Sequence, residues 1–565
     1  MVDPLKALDT VKDLRERRHA PLVLELDLSD GIVEGVHQDP VSALMGTRRV
    51  HLRDVLDGLR KARRDPRVKA LVAKVSGQVG LALAQELREA VAEFRAAGKL
   101  TVAWTETFGE TGQGTSAYYL ATAFEKIYLQ PSGDAGITGV ALSEPFVKDA
   151  LDKAGVTFRF GKRAEYKTAP NTFLERDYTE EHAEASQRMV ASLGEQIVSG
   201  VAEARGLSAD KVRELIDRAP LSASEALEGG LVDELGYRDE VYAHLRSRAG
   251  RDARLQYVSR YNRSGISGRL QAGGAKEAVA LVQAHGMIRL GRSGRGAVPG
   301  QGGAVGSDTL AAAIRAAVRD PKIKAIVMRV NSPGGSYVAS DVVWREVNLA
   351  RKAGKPVVVS MGNLAASGGY FIAMAADTIV AQPGTLTGSI GVYSGKPVVS
   401  ELMARLGVSF GDAAFGRHAQ INSTTRDFTE SEWERLDHSL DRIYADFTAK
   451  AAQGRGMDLP DLERLARGRV WTGADAVERG LVDELGGLDR ALDLAREKAG
   501  LPVDAPVRSL PHLSPLDRFR PAESSEDRTA ATARFSGWGS LASLAAQLGL
   551  PAAGPLVLPG VWEPR

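Results

Sequence analysis

The chain has 565 residues, with 73 Lys and Arg against 71 Asp and Glu and a net charge of +2. At about 100–200 residues per domain, this length excludes a single small module, and the balanced charge gives no general attraction to a polyanion, so nucleic acid is not an expected partner. The absence of cysteine excludes disulfides, thiolate nucleophiles, iron–sulfur clusters and thiolate zinc sites.

In chain order, residues 1–21 read as an N-terminal extension that is charged throughout, with no apolar run able to act as a secretory signal or spanning helix. The chain therefore reads as soluble. Residues 22–249 read as the first of two copies of one unit. ALEGGLVDELGYRDEV (226–241) recurs as AVERGLVDELGGLDRA (476–491), and RDYTEEH from Arg176 recurs as RDFTESE from Arg426, each 250 residues later. Residues 250–277, rich in Arg, Ser and Gly, read as a linker, and 278–500 as the second copy. In that copy KAIVMRV (324–330), KPVVVSM (355–361) and DTIVAQP (377–383) read as buried parallel strands, and 308–318 and 340–353 as helices. The pattern predicts an α/β fold in tandem, each copy a parallel sheet covered by helices. The stretch 290–307, with seven glycines, reads as a mobile loop near a ligand site. Residues 501–565 read as a Pro/Ser-rich arm and an apolar tail that carries Trp538 and Trp562 and is broken by Pro551, Pro555 and Pro559. Such a tail suits either docking to a surface or partner, or packing as a strap on the body.

Two glycine-rich segments of the second copy follow strands: NSPGGS (331–336) and NLAASGGYFIAMAA (363–376). Glycines at the C-terminal edge of a parallel sheet let backbone N–H groups approach a ligand. Ser367 is expected at the start of a helix, where developing negative charge is favoured, with the amide of Gly368 on one side and a glycine of the Pro333-Gly334-Gly335 turn on the other. The same residues are equally consistent with a tight strand-to-helix turn built from small side chains.

A serine nucleophile needs a base, and no histidine stands in an evident triad context. A lysine can serve only if burial lowers its free pKa of about 10.4, and a fall of three units corresponds to roughly 4 kcal/mol. The repeat singles out Lys167 in RAEYKTAPNTF (163–173). Its counterpart 250 residues later is Arg417, which cannot lose its proton. Conversely, the first copy has Thr115-Ser116-Ala117 near the position of Ser367-Gly368-Gly369, so each copy retains a different part of one site. Taken without the repeat, Lys167 would read as a surface lysine.

VNSPGGSYVAS, SMGNLAASGGYFIA, QPGTLTGSIGV and, in the first copy, AEYKTAP closely resemble bacterial signal peptide peptidase A (protease IV) in its long, internally duplicated form. The resemblance spans about residues 22–495. It implies a Clp protease/crotonase-like α/β fold and a Ser–Lys dyad, with Ser367 as nucleophile, Lys167 as general base and Ser389 orienting the lysine amine. Gly334, Gly335 and Gly368 match the oxyanion-hole region. It further implies remnant signal peptides as substrates, a homotetramer, a bacterial source and association with the inner membrane. Long-form members usually carry an N-terminal membrane anchor that is not read here, so the expected membrane contact is peripheral. No metal or organic cofactor is expected. The rival readings are a crotonase-like acyl-thioester enzyme, which would not need Ser367 and Lys167 together, and a non-catalytic peptide-binding scaffold.

Overall fold

The structure, a computed structural model, describes residues 20–34, 50–110, 113–264, 277–293, 304–511 and the strand Leu556–Val557. Nearly all of the 1–21 extension, residues 294–303 of the glycine-rich loop, and the arm and tail beyond 511 apart from that strand lie outside the described residues.

Both copies build the same sheet. The first runs in the order Glu234–Leu235, Lys126–Leu129, Leu100–Thr105, Val68–Lys74, Leu22–Asp27, Arg254–Tyr257, with every neighbouring pair parallel. The second runs Glu484–Leu485, Thr378–Ala381, Val357–Ala366, Ile323–Ser332, Ala278–His285, Val507–Leu510, again all parallel. Its strand Val357–Ala366 also pairs Leu386–Gly388, which carries the antiparallel strand Val470–Thr472.

This order modifies the reading of the polar segments. Within the stretch read as a linker, Arg254–Tyr257 is the edge strand of the first sheet, and Val258–Ser264 is a helix packed on helix Leu52–Arg64. The stretch read as an arm begins with the equivalent edge strand of the second sheet, Val507–Leu510. Their sequences, RLQY and VRSL, mix polar with apolar residues because an edge strand is paired on one side only and is less completely covered than the centre. The central strand Ala278–His285 shows the opposite pattern. Val279 and Leu281 join a core shared with the first copy, while Ala278, Ala280 and Val282 join the core of the second copy alone. Alternate side chains of one strand thus enter two dry cores, which explains an uninterrupted apolar run in place of a polar–apolar alternation.

Each copy also has one long helix, Glu180–Arg205 and Glu430–Arg455, 26 residues apiece. Thr179 and Thr429 cap their first turns by accepting the N–H of His182 and Glu432. Gly206 and Gly456 end them in the left-handed conformation at φ 65° and 63°, where a side chain would be strained.

A buried ion cluster ties the copies together. Arg329, on strand Ile323–Ser332, donates to Glu34 Oε1 at 2.7 Å, to Glu86 Oε2 at 2.7 Å and to Ser360 Oγ at 2.8 Å. Glu86 also accepts the N–H of Leu488 at 2.6 Å. Burial pushes the Glu86 carboxyl up, opposed by the guanidinium beside it. Removing the arginine leaves two acids without their counter-ion. Arg329→Met is therefore expected to cost about 3–5 kcal/mol, read as a lowered midpoint in urea denaturation, and the loss should shrink in Arg329→Met/Glu34→Gln/Glu86→Gln.

Candidate active site

Ser367 stands where strand Val357–Ala366 gives way to the six-residue helix Gly368–Ala373. Its φ of 55° is one of three positive values at non-glycine residues among those described, the others being Ser389 at 52° and Arg467 at 48°. All three meet in one place. Ser367 N–H donates to Gly388 O at 2.8 Å, Ser389 N–H to Arg469 O at 2.6 Å, and Tyr166 N–H to Arg467 O at 3.0 Å. Backbone strain of this kind costs of order 1–3 kcal/mol per residue and persists only where the surroundings over-determine it.

Lys167 arrives from the other copy. Strand Thr157–Arg163 runs antiparallel to Val392–Val398, with Arg163 opposite Val392, so the turn that follows Arg163 is delivered beside Ser389. Gly468, at φ 81°, backs onto this turn, and a Cβ there would come within 2.5 Å of Lys167 N. The lysine is 1% exposed. Its Nζ lies 3.0 Å from Ser367 Oγ, 2.9 Å from Ser389 Oγ and 3.1 Å from Ser389 O. Ser367 and Ser389 have no exposed surface. Burial away from water, with no compensating charge, pushes the Lys167 amine down to about 7.

The three singled-out glycines also converge. Pro333-Gly334-Gly335, read as a turn, contains instead the two-residue strand Gly334–Gly335, which pairs in parallel with Ile288. The strand forms because Gly335 can approach Ile288 closely; a Cβ at Gly335 would run into the Ile288 carbonyl. A Cβ on Gly368 would lie 3.0 Å from Gly335 N and 3.1 Å from Gly334 Cα, so the two segments touch beside Ser367. Gly334 N–H is already engaged, donating to Ser332 Oγ at 3.1 Å. Sequence reasoning did not find Ser332 or the Arg467-Gly468 wedge, and the repeat offered no signal for the latter, since the matching positions are Asp217 and Arg218.

Residues 93–252 and 349–502 each match the model of peptidase family S49. The chain is 34% identical to Protease 4 of Salmonella typhi, over 79% of this chain and 72% of that one. It is 31% identical to Protease 4 of Haemophilus influenzae, over 86% and 80%. With the chloroplastic serine protease SPPA of Arabidopsis thaliana the identity is 32% over 79% of this chain, and the chain spans 65% of that relative's length. Among solved structures, a mutant of the 1510-N membrane-bound stomatin-specific protease overlaps 42% of this chain and 99% of its own, at 16% identity and a TM-score of 0.26. The class is thus a serine peptidase in which one α/β unit occurs twice. The chain belongs to peptidase family S49. No helix among the described residues is long and apolar enough to cross a membrane.

Proposed function

We propose that the protein is an endopeptidase that cleaves peptides, remnant signal peptides among them, through an acyl-enzyme on Ser367 with Lys167 as general base. The observation that carries this reading is the buried 3.0 Å contact between Lys167 Nζ and Ser367 Oγ. A neutral lysine amine has two N–H bonds and one lone pair. With both N–H bonds directed at Ser389 Oγ and Ser389 O, the lone pair faces the Ser367 hydroxyl. It accepts that proton as Oγ attacks the scissile carbonyl, and the resulting ammonium returns it to the departing amine. Water then attacks the acyl ester by the same route in reverse. The amides of Gly335 and Gly368 receive the oxyanion, and Gly334, held through Ser332, fixes the backbone leading into Gly335.

In this reading unit 22–249 supplies the base, and unit 278–500 supplies the nucleophile and oxyanion hole. The groups meet within one chain, so the homotetramer and inner-membrane contact implied by the resemblance are not needed to form the dyad. Ser389→Ala removes one of the two acceptors that aim the amine. It is expected to lower kcat about 10–100-fold, measured on a fluorogenic peptide, with a much smaller change in KM. A fluorophosphonate probe tests the nucleophile: label on Ser367, strongly reduced in Lys167→Ala, is expected. Peptide hydrolysis that persists with Ser367 unlabelled would overturn the assignment, and loss of both would reopen the acyl-thioester and scaffold readings.

A further inference from the structure

The turn that carries Lys167 meets a layer of cationic and aromatic side chains from the second copy. Tyr166 is the chain neighbour of Lys167, and the guanidinium carbon of Arg469 lies 4.9 Å from the centre of its ring. The same carbon lies 4.4 Å from the centre of the Trp471 ring, and the guanidinium carbon of Arg479 lies 4.1 Å from that centre. Arg469 Nη2 also donates to Glu184 Oε1 at 2.6 Å, on helix Glu180–Arg205 of the first copy. Trp471 stands opposite Thr387 in the antiparallel ladder that leads to Ser389, and the Arg469 carbonyl accepts the Ser389 N–H. One residue thus holds the backbone of Ser389 with its main chain and the neighbour of Lys167 with its side chain.

We propose that Arg469 is a positioning residue: held by Tyr166, Trp471 and Glu184, it fixes the Lys167 turn of one copy against Ser389 of the other, so that the amine is aimed at Ser367. The inference rests on the dyad reading and extends it to a residue outside the dyad. The repeat separates this role from folding. At the 250-residue displacement Arg469, Trp471 and Arg479 correspond to Ala219, Leu221 and Gly229, and Tyr166 corresponds to Gly416. The first copy still builds the matching element, with Ser222 capping helix Ala223–Glu228 as Thr472 caps Gly473–Glu478. The unit therefore folds without the layer, which is present only where a lysine turn is held against a serine. A planar guanidinium suits this place because it can lie on aromatic faces while hydrogen-bonding at its edge. Lys167 is 200 residues from Ser367 in the chain, so its three contacts of 2.9–3.1 Å depend on how the turn is docked. A misplacement of about 1 Å can cost about 100-fold in rate.

The test places the first copy's residues in the second, as Arg469→Ala and Trp471→Leu in the full chain, with Arg469→Lys to keep the charge. The readouts are kcat and KM on a fluorogenic peptide and the pH at which kcat/KM reaches half its plateau. Burial alone depresses the Lys167 amine, so that pH reports water reaching it. A kcat about 10–100-fold lower is expected in Arg469→Ala and about 3–10-fold lower in Trp471→Leu and Arg469→Lys, with KM within about twofold. The half-plateau pH should rise from about 7 by about one pH unit in Arg469→Ala and Trp471→Leu. A kcat within about twofold of the unaltered chain in both, or a loss of kcat that follows a lowered denaturation midpoint with the half-plateau pH unmoved, would overturn the proposal. Lys167→Ala keeps the two readings apart. If it hydrolyses the peptide as the unaltered chain does, the dyad reading fails and takes this inference with it; if it is inactive, the Arg469 and Trp471 variants decide the inference alone. Should those variants not fold, Tyr166→Leu against Tyr166→Phe decides, since only the latter keeps the ring: a higher kcat in Tyr166→Phe is expected, and equal values would overturn the proposal.

Discussion

Lys167→Arg is expected to lower kcat/KM for peptide hydrolysis by about 10²–10⁴-fold, the range a general base contributes, although it keeps a long cationic side chain at the position. Arginine stays protonated at any working pH, so it can donate to the Ser389 acceptors but cannot take the Ser367 proton. The guanidinium is also wider than the ammonium it replaces, in a place where Lys167 is 1% exposed and walled by Gly468. Ser367→Ala should lose at least as much. In the proposed dyad base and nucleophile act as one unit, so Ser367→Ala/Lys167→Arg is expected to be no worse than the poorer single variant. Steady-state kinetics on one fluorogenic peptide measure all three. Losses that multiply in the double variant would mean that the two side chains act independently.

The second large effect is on pH. With the Lys167 amine pushed down to about 7, kcat/KM should fall about tenfold per pH unit below 7 and level off above it, since only the neutral amine can act as base. The same depression has a stability consequence of definite sign. The unfolded chain holds this proton up to about pH 10.4 and the folded chain only up to about 7, so between those values the unfolded state binds more protons and stability rises with pH. The cost of burying the lysine is largest and constant below pH 7 and vanishes above the unfolded value. Lys167→Met, similar in length and without charge, should therefore stabilise the fold by roughly 3–5 kcal/mol at pH 6 relative to its effect near pH 10. Denaturant midpoints at the two pH values measure this. A variant whose stability tracks the unaltered chain at both would mean that the amine is solvated.

The Ser389→Ala and Arg329→Met predictions separate two ways of supporting the site. Ser389 touches the amine directly, and its loss should appear in kcat. Arg329 instead joins Glu34 and Glu86 of one copy to the strand that leads into Gly334 of the other, and its loss should appear first in stability.

Much of this architecture was legible in the sequence. The 250-residue displacement announced two copies and apolar runs marked the central strands, whereas the long helices Glu180–Arg205 and Glu430–Arg455 were not among the elements read. The complementary losses at Arg417 and at Thr115-Ser116-Ala117 singled out Lys167 and Ser367 as parts of one site. These features are legible because they are written in the residue pattern itself: periodicity and repetition survive without contacts. The edge strands Arg254–Tyr257 and Val507–Leu510 were hidden in polar composition, because only a partner strand makes such residues extended. Tertiary structure alone decided that a lysine and a serine 200 residues apart lie within hydrogen-bonding reach, through the antiparallel pairing of Thr157–Arg163 with Val392–Val398. It alone set the positive φ of Ser367, Ser389 and Arg467, since strained backbone is held by the packing around it, not by the preferences of the residues that adopt it.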